Sequence, residues 1–345
     1  MKHVDVLVRG AGIVGQSLAL SLARLGLQVG LCAAPPRSDA TPDVRAYALN
    51  AASVALLRSL KVWDSLPAQA ATPVYDMHVQ GDAEGAAIDF SAWEQKVGEL
   101  AWIVDAPVLE RALGAAVRFS PHIHALTPAA ADRVQADLTA LCEGKESASR
   151  ARLGVDFERH DYGHSAIAAR LLAARPHGGT ARQWFRSPDV LALLPFDSPQ
   201  PSCSYALVWS MPRERAHELM ALDDSAFAAA LMEASRGEAG ELTLASPRAE
   251  WPLAIAEASA WSGPGWVLLG DAAHEQARDA LATVRRHHDE VGLPGLRLLQ
   301  DLVRRADADA ARHLAIARHQ INAFVDHVDQ PVVFERSVSR LQNGQ

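Results

Sequence analysis

The chain is predicted to fold as an α/β protein whose parallel sheet is covered on both faces. Three features predict it: an opening apolar run, glycine turn and helical stretch leading to a second apolar run; a middle richer in strands; and a late buried-strand pattern followed by helices. His3–Val8 is a short apolar run that ends at Gly10, as a strand entering a turn does. Gln16–Leu25 carries small and aliphatic residues at helical spacing until Gly26 stops it, and Gln28–Cys32 reads as the second strand. Such a βαβ unit takes a right-handed crossover and buries its strands on both sides. Ala51–Leu60 and Val108–Val117 read as helices, and Tyr75–Gln80, Val190–Pro195 and Tyr205–Trp209 as strands. Trp266–Leu269 is again strand-like, and Glu275 to about Val328 reads as helix, broken at Gly292–Gly295.

With 345 residues, of which 49% are hydrophobic, the chain has room for about two domains of roughly 150 residues each. A net charge of -8 and a pI near 5.9 give no overall attraction to phosphate backbones, which argues against a nucleic-acid partner. The three cysteines, Cys32, Cys142 and Cys203, form no CxxC pair, so neither a disulfide framework nor a cysteine-zinc site is expected and a reducing cytoplasm fits. No stretch stays apolar for the about 18 residues a spanning helix needs, so any membrane contact is expected to be peripheral.

Gly10-Ala11-Gly12-Ile13-Val14-Gly15 satisfies GxGxxG between a strand and a helix, the setting in which this motif binds a dinucleotide. The first glycine permits the tight turn, the second lets backbone approach a pyrophosphate, and the third allows close packing of helix on strand; the helix N-terminus supplies N–H donors. The alternative is a glycine-rich turn with no ligand. The acidic residue that usually closes the second strand and binds ribose is missing, because Leu31-Cys32 runs into Ala33-Ala34-Pro35-Pro36.

Further along, the chain resembles the FAD-dependent hydroxylases of ubiquinone biosynthesis, within the aromatic-ring monooxygenases related to para-hydroxybenzoate hydroxylase. Asp43-Val44-Arg45-Ala46-Tyr47-Ala48-Leu49 is similar to the family's D-x-R-A-x-A-L segment, and Glu143 to Arg150 to its DGxxSxxR motif, with Glu in place of the leading Asp. Asp161-Tyr162-Gly163-His164-Ser165, Ala181-Arg182-Gln183-Trp184-Phe185 and Leu191-Ala192-Leu193-Leu194-Pro195 resemble the middle strands, and Leu268-Leu269-Gly270-Asp271-Ala272-Ala273-His274 the return to the cofactor domain. The resemblance covers about residues 1 to 274 and rests on three cofactor motifs occurring in order.

This resemblance implies a Rossmann-like FAD-binding domain with an inserted β-rich substrate domain and a helical C-terminus. The expected division is 1-72, 98-158 and 260-345 for the discontinuous FAD-binding domain with its C-terminal helices, and 73-97 with 159-259 for the substrate domain. FAD is expected to lie against Gly10, Ala11, Gly12, Val14, Gly15, Arg45, Glu143, Gly144, Gly270 and Asp271. In the family the arginine matched by Arg45 lies beside the flavin, the segment matched by 143–150 contacts FAD and the nicotinamide donor, and the Asp matched by Asp271 binds the ribityl chain. NAD(P)H is then a transient electron donor and the substrate a small aromatic or quinone-like ring, in a homodimer or a quinone-biosynthesis assembly. No catalytic side chain is readable, as suits chemistry carried by a cofactor.

The pattern departs from the family after His274. Relatives continue H-P-x-x-G-Q-G-x-N beside the flavin ring, whereas Glu275-Gln276-Ala277-Arg278-Asp279-Ala280-Leu281 has neither the proline nor the glycines that permit close backbone approach. Ala106-Pro107 stands where relatives carry a polar residue, and the stretch from Val117 to Leu138 is short. Two functions follow: a hydroxylase using FAD, NAD(P)H and O2, or a non-catalytic relative serving as an accessory subunit in quinone biosynthesis. An NAD-dependent dehydrogenase would rest on the glycine turn alone.

Other clusters carry less. His287-His288, His313 and His319 lack acidic residues at ligand spacing, and no metal is expected. Trp184, Trp209 and Trp251 are candidates for an aromatic wall or for core. Ser147 and Ser149 lack the G-x-S-x-G elbow of a hydrolase. Arg285-Arg286 and Arg304-Arg305 suit helix C-terminal dipoles.

Overall fold

A computed structural model describes residues 3–33, 43–83 and 85–275. The helical run after Glu275, with its histidines and arginine pairs, lies outside the described residues.

The chain opens with β1 (His3–Arg9), α1 (Ile13–Arg24) and β2 (Val29–Cys32), then β3 (Ala46–Leu49), α2 (Ala51–Ser59), β4 (Ala71–Val74), β5 (Asp76–Gln80) and β6 (Ala87–Ser91). It continues through β7 (Ala101–Asp105), α3 (Ala106–Phe119), β8 (Ile123–Leu126), α4 (Pro128–Ala131), β9 (Gln135–Leu141) and α5 (Ala148–Arg152). The middle is β10 (Phe157–Ala173), β11 (Thr180–Arg186), β12 (Asp189–Phe196), β13 (Ser204–Pro212), α6 (Arg213–Ala221) and α7 (Asp224–Ala234). It closes with β14 (Leu242–Leu244), β15 (Ala249–Ala258), β16 (Ser262–Gly263), β17 (Trp266–Leu268) and β18 (His274–Glu275).

The first sheet has the order β16-β17-β9-β1-β2-β8, with all strands from β17 to β8 parallel. Val6 and Val8 of β1 pack into a core with Leu18 and Leu22 of α1 and Leu109 and Leu113 of α3. Val4 and Leu7 face a second core with Cys32 and Ala131. Burial on both faces explains why Val6, Leu7 and Val8 of β1 are apolar in succession rather than in alternation. From β1 the chain lays β2 and then β8 on one side and returns with β9 on the other, so the strand order reverses between β1 and β9. Open α/β sheets bind ligands at such a reversal, beyond the carboxyl ends of the strands.

The second sheet has nine strands, running β18-β15-β10-β13-β12-β11-β5-β6 with β14 beside β10; its pairings are antiparallel except β11 with β5. One face is covered by α6 and α7, whose Leu219, Phe227 and Leu231 pack on Ile167, Trp184, Leu193 and Trp209. The opposite face meets the three-stranded sheet β3-β7-β4, through Val74 and Ile103 against Ala181 and Phe196. The expected α/β class, parallel dinucleotide-type sheet and β-rich middle are therefore all present.

Two local readings need correction. α3 begins at Ala106 rather than Val108, because Asp105 accepts the Val108 N–H at 2.9 Å as an N-cap and Pro107 sits in the first turn, where its missing N–H costs nothing. The expected helix does not start at Glu275: His274 and Glu275 form an edge strand against Glu257 and Ala256.

Candidate functional site

The three motifs meet at the carboxyl ends of neighbouring parallel strands. The Gly10 N–H donates to the Cys32 carbonyl at 2.9 Å, the Cys142 N–H to Arg9 at 2.6 Å and the Leu269 N–H to Leu141 at 3.0 Å, so the last peptides of β2, β1, β9 and β17 are laced together. Gly10 has φ +106, and a Cβ there would lie 2.1 Å from the Cys142 carbonyl oxygen; one at Gly15 would lie 1.8 Å from that of Gly10. These two glycines are required by the protein itself. Gly12 differs: a Cβ there meets nothing within 4 Å. It stands at the N-cap of α1, and no side chain caps the N–H donors of the first turn. That uncapped helix start beside an uncrowded glycine is a cradle of the shape and sign a pyrophosphate requires, and the adenine dinucleotide FAD fits it.

Gly270, with φ +59, closes the cradle from the β17 side: its Cβ position lies 3.2 Å from a methyl of Val14, which is 39% exposed at the rim. Asp271 follows in a short turn, Gly270–Ala272, and is exposed at the same strand ends; Leu269 precedes the turn, so Asp271 is not its N-cap. Ala11 stands at the turn, its carbonyl accepting from the Gln16 amide.

Glu143 has a different setting from that of a free ligand group. Its carboxylate accepts from the Ser147 hydroxyl at 2.7 Å, the Ser149 N–H at 2.9 Å and the Ser149 hydroxyl at 2.8 Å. Burial alone would raise this carboxyl, but the bonds from Ser147 and Ser149 outweigh it and hold Glu143 below the ordinary carboxylate range. Glu143 therefore folds the turn around Gly144, whose φ is +76 and which meets no neighbour. Ser147 caps α5 by accepting the Arg150 N–H. Arg150, 7% exposed, donates to the carbonyls of Ala272 at 2.9 Å and Lys145 at 2.7 Å, and lies 3.5 Å over the Phe157 ring.

Arg45 stands apart, just before β3. It is held by Asp43 through contacts of 2.8 and 2.6 Å and donates to the Tyr47 hydroxyl at 3.2 Å; this bonding raises its already high pKa. Its carbonyl accepts from Arg170 at 2.8 Å, and Arg170 lies 4.0 Å over the Phe196 ring and 3.4 Å from Asp105. Arg45 is thus anchored to the nine-stranded sheet through Arg170. Arg150 and Arg170 escaped the sequence reading as tethers, although a lone arginine in Ala166–Leu172 is a legible sign of a buried charge with partners.

Trp184 and Trp209 are each 1% exposed beneath α6 and α7, so they are core and not an aromatic wall. Trp251 is half-buried on β15, paired with Ala166. Among the described residues His3, Asp5 and Asp137 bring ligand-type atoms together at the surface, but Asp5 accepts the Gln28 N–H and Asp137 pairs with His3.

Residues 3–277 match a family described as FAD binding domain. The 3-demethoxyubiquinol 3-hydroxylase of Escherichia coli is 28% identical over 292 residues, covering 78% of this chain and 73% of that protein. Ubiquinone hydroxylase UbiM of Neisseria meningitidis is 25% identical over 329 residues, covering 88% and 69%. Among solved structures, P. aeruginosa PqsL in complex with 2-aminobenzoylacetate superposes with a TM-score of 0.69 at 19% identity, covering 94% of each chain.

Proposed function

The chain belongs to the FAD-binding-domain family, and from that membership together with the strand-end cradle we propose that it is a monooxygenase that hydroxylates an aromatic or quinone-precursor ring. The observation that carries this reading is the meeting of Gly10–Gly15, Glu143–Arg150 and Gly270–Asp271 at the β1/β9 reversal. FAD supplies the redox chemistry, taking electrons from NAD(P)H and activating O2. The protein's own residues bind, orient and exclude water. The N–H groups of α1 and the backbone at Gly12 hold the pyrophosphate, and Asp271 offers an acceptor to the ribityl hydroxyls. The turn 143–147, folded by Glu143, would add backbone contacts to FAD, and Arg45, held by Asp43 just before β3, would offer it a positive charge.

The named relatives are hydroxylases, which supports the enzyme over the accessory-subunit reading. We further propose the two-domain division at 73-97 and 159-259, a cytoplasmic setting, and a homodimer or quinone-biosynthesis assembly. Among the described residues no helix is long and apolar enough to cross a membrane.

An absorbance scan of the purified full chain, with and without added FAD, tests the reading. Flavin bands and ring-stimulated NAD(P)H oxidation are expected. A colourless protein whose melting temperature FAD leaves unchanged would refute it.

A further inference from the structure

Gln16 places a long carboxamide in a part of α1 made mostly of small and aliphatic residues, and only 7% of it is exposed. Its Nε2 donates to the Ala11 carbonyl at 2.5 Å, back across the first turn of the helix. Its Oε1 is buried and has no hydrogen-bond partner. Room for that oxygen comes from α3, where a Cβ at Gly114 would lie only 3.3 Å from it. A glycine inside a helix and an unpaired buried acceptor are each unfavourable. An apolar side chain at position 16 would avoid the unpaired oxygen, so what the carboxamide contributes lies at its other end, Nε2.

The geometry of one peptide shows what that contact does. The bond between Ala11 and Gly12 is trans, so the Ala11 carbonyl and the Gly12 N–H lie in one plane and point in opposite directions. Gln16 holds the carbonyl toward the buried side of α1. The N–H is thereby turned outward at Gly12, which is exposed and where a Cβ would meet nothing within 4 Å. No hydrogen bond among the described residues uses that N–H. Rotated by half a turn, the same peptide would present its carbonyl oxygen to a phosphate. A peptide that ends in glycine rotates with little steric resistance, and the clamp on the carbonyl removes that freedom.

We infer that Gln16 is a positioning residue for the cofactor: by holding the Ala11 carbonyl it aims the Gly12 N–H at the pyrophosphate of FAD. This rests on the FAD reading above. The gain is preorganisation, because the donor is in place before the ligand arrives and no binding energy goes into ordering the turn. Neither the flavin nor the adenine takes part, so any ligand with the same diphosphate is affected alike.

The test uses the full chain with FAD and ADP as probes, their dissociation constants read by flavin fluorescence and by calorimetry. Gln16→Met keeps the volume and removes the donor. It should weaken FAD and ADP by the same factor, about tenfold. Without cofactor it should melt within about 3 °C of wild type, since one lost hydrogen bond is offset by the removal of one unpaired oxygen. Gln16→Leu should behave in the same way. Combined with Gly12→Ala, Gln16→Met should be non-additive: the double variant should lose clearly less than the about hundredfold of two independent tenfold effects, because both changes act on one N–H contact. A glutamine that merely fills the space between α1 and α3 would instead give the multiplied loss, or lower the melting temperature without moving either dissociation constant. Either result overturns the positioning role and leaves the FAD reading standing. If wild type binds neither FAD nor ADP, both fall.

Discussion

The Arg150 guanidinium donates to the Ala272 carbonyl at 2.9 Å across 122 positions of sequence. That bond ties the turn after β9 to the turn after β17, the two walls that face the glycine loop. A second donor of the same group satisfies the Lys145 carbonyl, and Phe157 packs beneath the guanidinium plane. Arginine suits this position because its planar fork reaches two acceptors at once, which a lysine ammonium on a single stem does not.

Replacing Arg150 with Met should leave both carbonyls without their donor and destabilise the fold by about 2–4 kcal/mol in urea unfolding. FAD affinity should fall with it, since two walls of the cradle lose their register. Arg150→Lys should recover part of the stability. An unchanged urea midpoint in Arg150→Met would show that the tether carries no load.

The glycines of the loop should separate by role. Gly10→Ala places a Cβ 2.1 Å from the Cys142 oxygen at a φ of +106, and should cost more than about 3 kcal/mol whether or not FAD is present. Gly12→Ala meets nothing in the protein, so its stability without cofactor should stay within about 0.5 kcal/mol of wild type. Its FAD dissociation constant should rise by about tenfold, equal to roughly 1.4 kcal/mol. Thermal melts paired with a flavin titration read both quantities.

Glu143 is held ionised by Ser147 and Ser149, so its folded pKa lies below its unfolded value. Its contribution is fully present above the unfolded value near 4.3 and disappears as pH falls toward the lowered folded value. Glu143→Gln should cost about 1–2 kcal/mol at pH 7 and show a shallower loss of stability below about pH 4.3 than wild type. Unfolding curves taken every half unit between pH 3 and 7 decide it; parallel profiles would contradict the assignment.

His177 is buried at the turn between β10 and β11. Its Nδ1 accepts the Gly179 N–H at 3.0 Å, which places the proton of the neutral ring on Nε2, 3.4 Å from the Asp197 carboxylate. Burial pushes its pKa down, outweighing the pull of Asp197. Here the unfolded state takes up the proton first, so stability should decline as pH drops below about 6.5. His177→Asn, which keeps an acceptor for Gly179, should flatten the profile between about pH 5 and 7. A slope identical to wild type would assign the titration to another group.

Much of the architecture was legible because its signals are short-range. The apolar run His3–Val8, the glycines at 10, 12 and 15 and the stop at Gly26 specify a strand, a turn and a helix within the first 26 residues. The start of α3 was misplaced because a two-residue cap, Asp105 with Pro107, outranks the apolar spacing that begins at Val108. Glu275 looked helical by composition, yet strand pairing with β15 captures it, since tertiary pairing overrides a weak local preference.

The motifs named which residues gather, and the parallel strand order brought Gly10, Cys142–Glu143 and Gly270 to one edge. What the sequence by itself determined was the inventory of elements and the glycines that make a cofactor turn, because both depend on neighbours within a few positions. Only the tertiary structure decided that Glu143 is spent on Ser147 and Ser149, that Arg150 clasps Ala272, and that Gln183 is left without partners. Those outcomes depend on which face a side chain takes and on contacts closed across long loops, and no local pattern encodes either.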